Sequence, residues 1–74
     1  MRYTVHMRPE PEGGYTVLVP ALPEVVSFGE TEAEALEMGR EAIELALEVR
    51  REDGAPVPDD VEPLIRSLTV SEAA

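Results

Sequence analysis

The feature that most constrains this chain is one long amphipathic stretch between Thr31 and Gly54. Its apolar and small residues recur with a period near 3.6, which predicts an α-helix with one buried face. That face comprises Ala35, Leu36, Gly39, Ala42, Ile43, Ala46, Leu47 and Val49. A single helix cannot bury such a stripe alone, so the rest of the 74-residue chain must supply the surface that covers it.

Both ends of this helix carry sequence signals. Thr31 followed three residues later by Glu34 fits a capping box, which satisfies two free backbone amides at a helix start. Gly54 predicts the stop, with a proline soon after it. Gly39 lies in the middle of the helix, where glycine costs about 1 kcal/mol relative to alanine. We therefore expect another backbone or side chain to approach the helix closely at Gly39.

Three short stretches before the helix have the pattern of β-strands. They are residues 2–7, 15–19 and 25–28. The first two alternate in hydropathy, and the third is rich in β-branched and aromatic side chains. A turn rich in proline and glycine at 9–14 joins the first two, while Pro20 and Pro23 end the second because proline donates no ladder hydrogen bond. Residues 64–70 predict one more strand after the helix.

The predicted fold is α+β with the order β-β-β-α-β, in which one helix packs on a three- to four-stranded, mainly antiparallel sheet. A right-handed crossover would place the last strand parallel to an earlier one. The opposite sheet face would carry Thr4, His6, Thr16, Leu18 and Ile65. That face is either solvated or used for association. We expect one domain over residues 1–74, with fraying at 71–74.

Composition limits the chemistry that the chain can perform. It has sixteen acidic and six basic residues, a formal charge of −10, one histidine and no cysteine. Such a charge repels phosphates and argues against nucleic-acid binding, and without cysteine there is no disulfide or thiolate zinc site. No nucleophile, phosphate loop or rigid carboxylate pair stands out, so we predict no catalytic, metal-binding or cofactor-binding residue and no enzyme. The absence of a signal peptide and of a membrane-spanning stretch predicts a cytoplasmic protein.

The excess of acidic over basic residues has more than one interpretation. Solvated carboxylates keep a protein soluble, whereas an acidic surface also attracts a basic partner. The acidic hairpin loop and the outer face of the helix are the candidate contacts for such a partner. Weak cation binding by Glu10, Glu12, Asp59 and Asp60 is a further alternative.

An ordered series of short motifs runs through most of the chain. The motifs are Gly13-Gly14-Tyr15-x-Val17-x-Val19-Pro20-x-Leu22-Pro23, Gly29-Glu30-Thr31-x-x-Glu34-Ala35-Leu36, Glu41-Ala42-Ile43, and then Gly54 and Pro58. In this order and spacing they resemble the HicB-like antitoxin family over residues 3–58. No single piece is specific, but the ordered set is.

The resemblance implies a partial RNase H-like fold without nuclease activity. It also implies neutralisation of a small, basic HicA-like toxin, a ribonuclease that cleaves mRNA, by masking of its active site. We expect the toxin contacts to include Glu10, Glu12, Glu24 and Glu30. The family-motif residues expected to have structural roles are Gly14, Tyr15, Pro20, Leu22, Pro23, Gly29, Thr31 and Glu34; we add Gly39.

The sequence departs from the family pattern at two places. Many members have Gly-Cys where this chain has Glu24-Val25, which changes the turn into the third strand. Full antitoxins often append a DNA-binding domain, and only sixteen residues follow Pro58 here, so operator binding is not expected. A homo-oligomer is expected, since so small a domain has a thin core. The alternative function is a self-associating structural or regulatory module without a toxin.

Overall fold

The computed structural model describes residues 1–72, which form three strands followed by one helix. The elements are β1 His6–Pro9, β2 Tyr15–Leu18, β3 Val26–Gly29 and α1 Glu32–Glu52. The strands make one antiparallel sheet in the order β1-β2-β3, with Leu18 opposite both His6 and Val26. The α+β class, with one helix on an antiparallel sheet, is thereby confirmed.

The first strand lies further along the chain than its alternation predicted. It pairs with β2 up to Pro9, which lies opposite Tyr15, and the turn is closed by the Glu10 amide, which donates to the Gly14 carbonyl at 3.0 Å. The predicted strand 2–7 is wrong at both ends. It starts too early, because β2 ends at Leu18 and offers no hydrogen-bonding partner to the residues before His6. It also ends too early, because Arg8 and Pro9 still pair with β2. Tyr3 and Val5 are nevertheless half-buried against the core, as their alternation suggested.

The predicted strand over 64–70 is not formed in this chain. Residues 55–72 contain neither helix nor strand, and those from 61 onward are exposed. Apolar alternation alone does not make a strand, since a strand also needs a neighbour that accepts its ladder hydrogen bonds. Of the four residues predicted to fray, 71 and 72 have no regular structure, and 73 and 74 lie outside the described residues.

The helix begins and ends where its sequence signals placed it. The Thr31 side-chain oxygen accepts a hydrogen bond from the Glu34 amide at 3.1 Å, and acidic residues occupy the first turn. Gly54 follows the last turn with φ +69°, and the amides of Gly54 and Ala55 donate to carbonyls of that turn at 3.2 and 2.8 Å. This pair of bonds is a Schellman motif, which the glycine permits. The helix does not have the uninterrupted apolar length that a bilayer crossing needs.

The core lies between the second half of α1 and the loop that joins β2 to β3. Its buried side chains are Val19, Leu22, Val25 and Leu47. Leu22, between Pro20 and Pro23, is fully buried, so this proline-flanked loop helps to form the core. The buried helix face is narrower than predicted, because Leu36 and Val49 are each 46% exposed.

Two glycines let the helix and the sheet come together. A Cβ atom at Gly39 would lie 3.0 Å from Cγ1 of the fully buried Val17, which confirms the close approach expected there. A Cβ atom at Gly29 would collide with the backbone of Ala35. The sheet therefore meets the first half of α1 at two places, Val17 against Gly39 and Gly29 against Ala35, and neither glycine has room for a side chain.

Candidate partner-binding surfaces

The acidic turn between β1 and β2 holds Glu10 in an internal network. The Glu10 carboxylate accepts hydrogen bonds from Arg8 Nε at 2.9 Å and from the Thr16 hydroxyl at 2.7 Å. These bonds, first from Thr16 and then from Arg8, lower the pKa of Glu10. Glu12, two residues on, lies exposed in the turn. The two glutamates predicted to act together thus have different surroundings.

Glu24 forms a forked ion pair with the helix end. Its two carboxylate oxygens accept from Arg50 Nε at 2.7 Å and Arg50 Nη2 at 2.9 Å. The same guanidinium donates to the Pro56 carbonyl at 2.9 Å. The hydrogen bonds from Arg50 hold the pKa of Glu24 at about 2. Glu24 therefore links the β2–β3 loop to the end of α1 and the segment after it.

The four glutamates predicted to contact a toxin do not form one cluster. Glu24 lies against the last turn of α1, whereas Glu30 lies exposed before its first turn. A 21-residue helix is about 30 Å long, so the two belong to opposite ends of the molecule. The role of the four residues in binding stays a prediction.

The outer face of α1 is the most extensive acidic surface. Its exposed carboxylates are Glu34, Glu37, Glu41, Glu44, Glu48 and Glu52. Arg40 interrupts them: it forms an ion pair with Glu37 and another with Glu44 at 3.1 Å. Helical periodicity in the sequence already indicated this face. The six carboxylates outnumber the two arginines of this face, Arg40 and Arg51, so the surface suits a basic partner.

The sheet face turned away from α1 carries exposed apolar side chains. Residues opposite each other in an antiparallel ladder share a face, so His6, Leu18 and Val26 lie on it in one row, and Arg8, Thr16 and Phe28 in the next. We call this set the open face. Val26 is 63% exposed and Phe28 is 46% exposed. The sequence placed His6, Thr16 and Leu18 here, but it could not assign Val26 and Phe28 without the register of β3.

An open groove of about 750 Å³ lies between the N-terminal segment and α1. Its apolar wall includes Tyr3, Val5 and Ile43, and Glu44 and Arg51 stand at its charged side. Sequence reasoning missed this groove because its walls are some forty residues apart in the chain. It adds an apolar strip beside the acidic face of the helix.

The segment after the helix is hydrogen-bonded to the N-terminal segment of the chain. The Tyr3 hydroxyl donates to the Pro58 carbonyl at 2.5 Å, and both the amide and the hydroxyl of Thr4 donate to the Asp60 carboxylate at 2.7 Å. These bonds lower the pKa of Asp60. Asp60 thus has an internal structural role, and within residues 1–72 no group of three metal-ligating side chains comes together.

Comparisons with known proteins find one matching family and several curated relatives. The family model described as HicB_like antitoxin of bacterial toxin-antitoxin system matches residues 3–72. Antitoxin HicB 1 of Photorhabdus laumondii subsp. laumondii is 45% identical over 58 residues, and Antitoxin HicB of Escherichia coli (strain K12) is 43% identical over 58 residues. Both alignments cover 78% of this chain.

The extent of these alignments differs between relatives. They cover 37% of the Photorhabdus protein and 42% of the Escherichia coli protein, so the chain spans about two fifths of the length of these relatives. UPF0150 protein Ta0767 of Thermoplasma acidophilum is 38% identical over 60 residues, which cover 81% of this chain and 87% of that relative. The family model, whose match is located at residues 3–72, includes all four secondary-structure elements.

Proposed function

The chain belongs to the HicB-like antitoxin family, and on that basis we propose that it binds and neutralises a small, basic toxin of the HicA-like kind, an mRNA ribonuclease, by covering its active site. The observation that carries the proposal is the family match over residues 3–72, which includes all four secondary-structure elements. We further propose that the chain has no enzyme activity of its own.

The charge of the molecule supports a basic partner. The formal charge is −10, and three of the six arginines already pair with the chain's own glutamates: Arg8, Arg40 and Arg50. Most carboxylates on the outer face of α1 have no such partner within the described ion pairs. A ribonuclease active site that attracts RNA is positively charged, so the acidic helix face competes for the same surface.

The docking surface that we propose for the toxin is the outer face of α1 with the adjoining groove. Charged residues at a rim accelerate association, and a central apolar strip supplies most of the affinity. Here Glu41, Glu44 and Glu48 supply the charge, and Tyr3 and Ile43 line the apolar strip. Glu12 and Glu30 extend the acidic field beyond the helix.

The test is a binding experiment with the product of the neighbouring reading frame. We expect that product to be a small basic protein, to co-purify with this chain, and to lose its RNA-cleaving activity when the chain is added. Reversal of Glu41 and Glu48 to Lys should weaken binding more than the same reversal at Glu62, which lies exposed in the segment after α1. Equal effects at the three positions would contradict the proposed surface.

The open face supports a second role, self-association. An exposed apolar sheet face on a small domain is typical of an interaction surface. The homo-oligomer and the orphan module without a toxin were predicted from sequence, and both stay predictions. A chain that forms a homo-oligomer but binds no toxin would favour the orphan role.

A further inference from the structure

The C-terminal segment exposes apolar side chains that a soluble chain normally buries. Leu64, Ile65, Leu68 and Val70 are 78%, 75%, 89% and 76% exposed. We call residues 64–70 the tail. Four large apolar residues among seven form a strand-like sequence of high hydrophobicity, which is an association or aggregation hazard when left free in water.

The tail points away from the body of the molecule. The radius of gyration is 15.2 Å, against about 11 Å for a compact domain of this length, and the long axis measures 54 Å against 26 and 19 Å for the others. The seven residues of the tail span about 23 Å when extended. The tail therefore reaches well beyond its own sheet.

The start of the tail lies beside the open face. Pro63 and Ile65 line a shallow hollow of about 440 Å³ together with His6 and Leu18. Ile65 is still 75% exposed, so it borders the hollow without filling it. The open face and the tail are thus continuous, and both have uncovered apolar surface.

Charge distinguishes this region from the rest of the molecule. Residues 63–71 contain no acidic residue and one arginine, in a chain with sixteen carboxylates. The open face carries Arg8 and His6, and the carboxylate beside it, Glu10, is hydrogen-bonded to Arg8 and Thr16. Two copies, each with a charge of −10, repel each other least where these surfaces meet.

We propose that two copies of this chain form a symmetric dimer in which the tail of each copy packs on the open face of the other. In a dimer with two-fold symmetry each open face binds the tail of the other copy. No tail or open face is left free to bind a third copy, so the assembly is closed. Leu68 and Val70 enter the partner copy's hollow and cover its Val26 and Phe28. The inference rests on the self-association proposed above, which it deepens by naming the surfaces that meet, and it does not depend on the antitoxin role.

The test measures the molar mass of the full chain by light scattering, with a charge-matched control. We expect twice 8.1 kDa for the parent and for Leu45→Glu, and 8.1 kDa for Leu68→Glu and for Val26→Glu. Leu45 is a suitable control because it is 61% exposed on α1, close to the 63% of Val26. Each variant should keep its helical circular dichroism, because each side chain is exposed. A monomeric parent, or a dimer that survives both disruptive variants, would overturn the proposal.

A cross-linking experiment tests which surfaces meet. The chain has no cysteine, so Val26→Cys and Leu68→Cys can be purified separately, one with a mass tag, and mixed under mild oxidation. We expect the mixed disulfide to form faster than in a mixture of Leu45→Cys and Leu68→Cys. Equal rates would overturn the tail-on-face arrangement even if the chain is a dimer.

Discussion

Single residues set how closely the sheet and the helix pack, and Gly39 is the clearest case. A mid-helix glycine-to-alanine change ordinarily stabilises by about 1 kcal/mol. Here the new methyl group would lie 3.0 Å from Val17 Cγ1. We expect Gly39→Ala to be more favourable in a Val17→Ala background than in the parent, because the smaller neighbour leaves room. Denaturant unfolding of the four proteins gives this coupling, and the same effect in both backgrounds would contradict the close contact.

Thr31 is the residue that fixes the start of α1. Its side-chain oxygen accepts a hydrogen bond from the Glu34 backbone amide at 3.1 Å. Thr31→Ala removes this acceptor and should lower the free energy of unfolding by about 1 kcal/mol. Thr31→Ser keeps the hydroxyl and serves as the control in the same thermal or denaturant unfolding experiment. An unchanged melting temperature in Thr31→Ala would show that this cap does not stabilise the helix.

The Glu24–Arg50 pair should make stability depend on pH. The folded-state pKa of Glu24 is about 2, below the ordinary value of 4.5. A depressed pKa means that the pair stabilises the fold above pH 4.5 and that this contribution is lost as the pH falls toward 2. The stability difference between the parent and Glu24→Gln should therefore shrink over that range. Glu12→Gln, in the exposed turn, is the control variant for the same measurement. A stability difference between the parent and Glu24→Gln that stays constant over this pH range would contradict the role of the pair.

At the scale of elements, the β1–β2 hairpin carries two glutamates with different expected effects. One should affect only the association with a partner, and the other should also affect the stability of the fold. Glu12 is exposed, whereas Glu10 is hydrogen-bonded to Arg8 and Thr16. Glu12→Lys should slow the association with a basic partner and leave the melting temperature nearly unchanged. Glu10→Lys should slow association and also lower the melting temperature. Stopped-flow association and thermal unfolding distinguish the two, and equal loss of stability in both variants would contradict this assignment.

The elements also show what could be predicted from sequence. The ends of α1 were predictable because capping at Thr31 and Gly54 depends on residues within a few positions. The bounds of β1 were not, since they depend on where β2 ends and how the hairpin closes. The tail carries a strand-like pattern but has no ladder partner within the described chain. Its conformation depends on neighbours that a local pattern does not reveal.

The candidate surfaces also divide into those that depend on local sequence, which could be predicted, and those that depend on distant parts of the chain, which could not. The acidic outer face of α1 follows directly from helical periodicity, so it was predictable. The internal partners of Glu10 and Glu24 were not, because Glu24 lies 26 residues from Arg50 in sequence. The groove between the N-terminal segment and α1 likewise joins distant parts of the chain.

At the scale of the whole molecule, two surfaces of different character lie on opposite sides of one thin domain. The helix side is acidic and suits a basic protein, and the sheet side with the tail is apolar and nearly free of carboxylates. In our account the first binds the toxin and the second binds another copy of this chain. The two interactions can therefore occur at the same time.

The measurement that tests the central claim most directly is ribonuclease activity of the neighbouring gene product, titrated with this chain. We expect RNA cleavage to fall to zero near one chain per toxin molecule, with a purified complex that contains both proteins. We also expect Glu41→Lys combined with Glu48→Lys to shift the titration to higher chain concentration. Undiminished cleavage at an excess of the folded parent chain, or a neighbouring product that does not bind it, would contradict the antitoxin role.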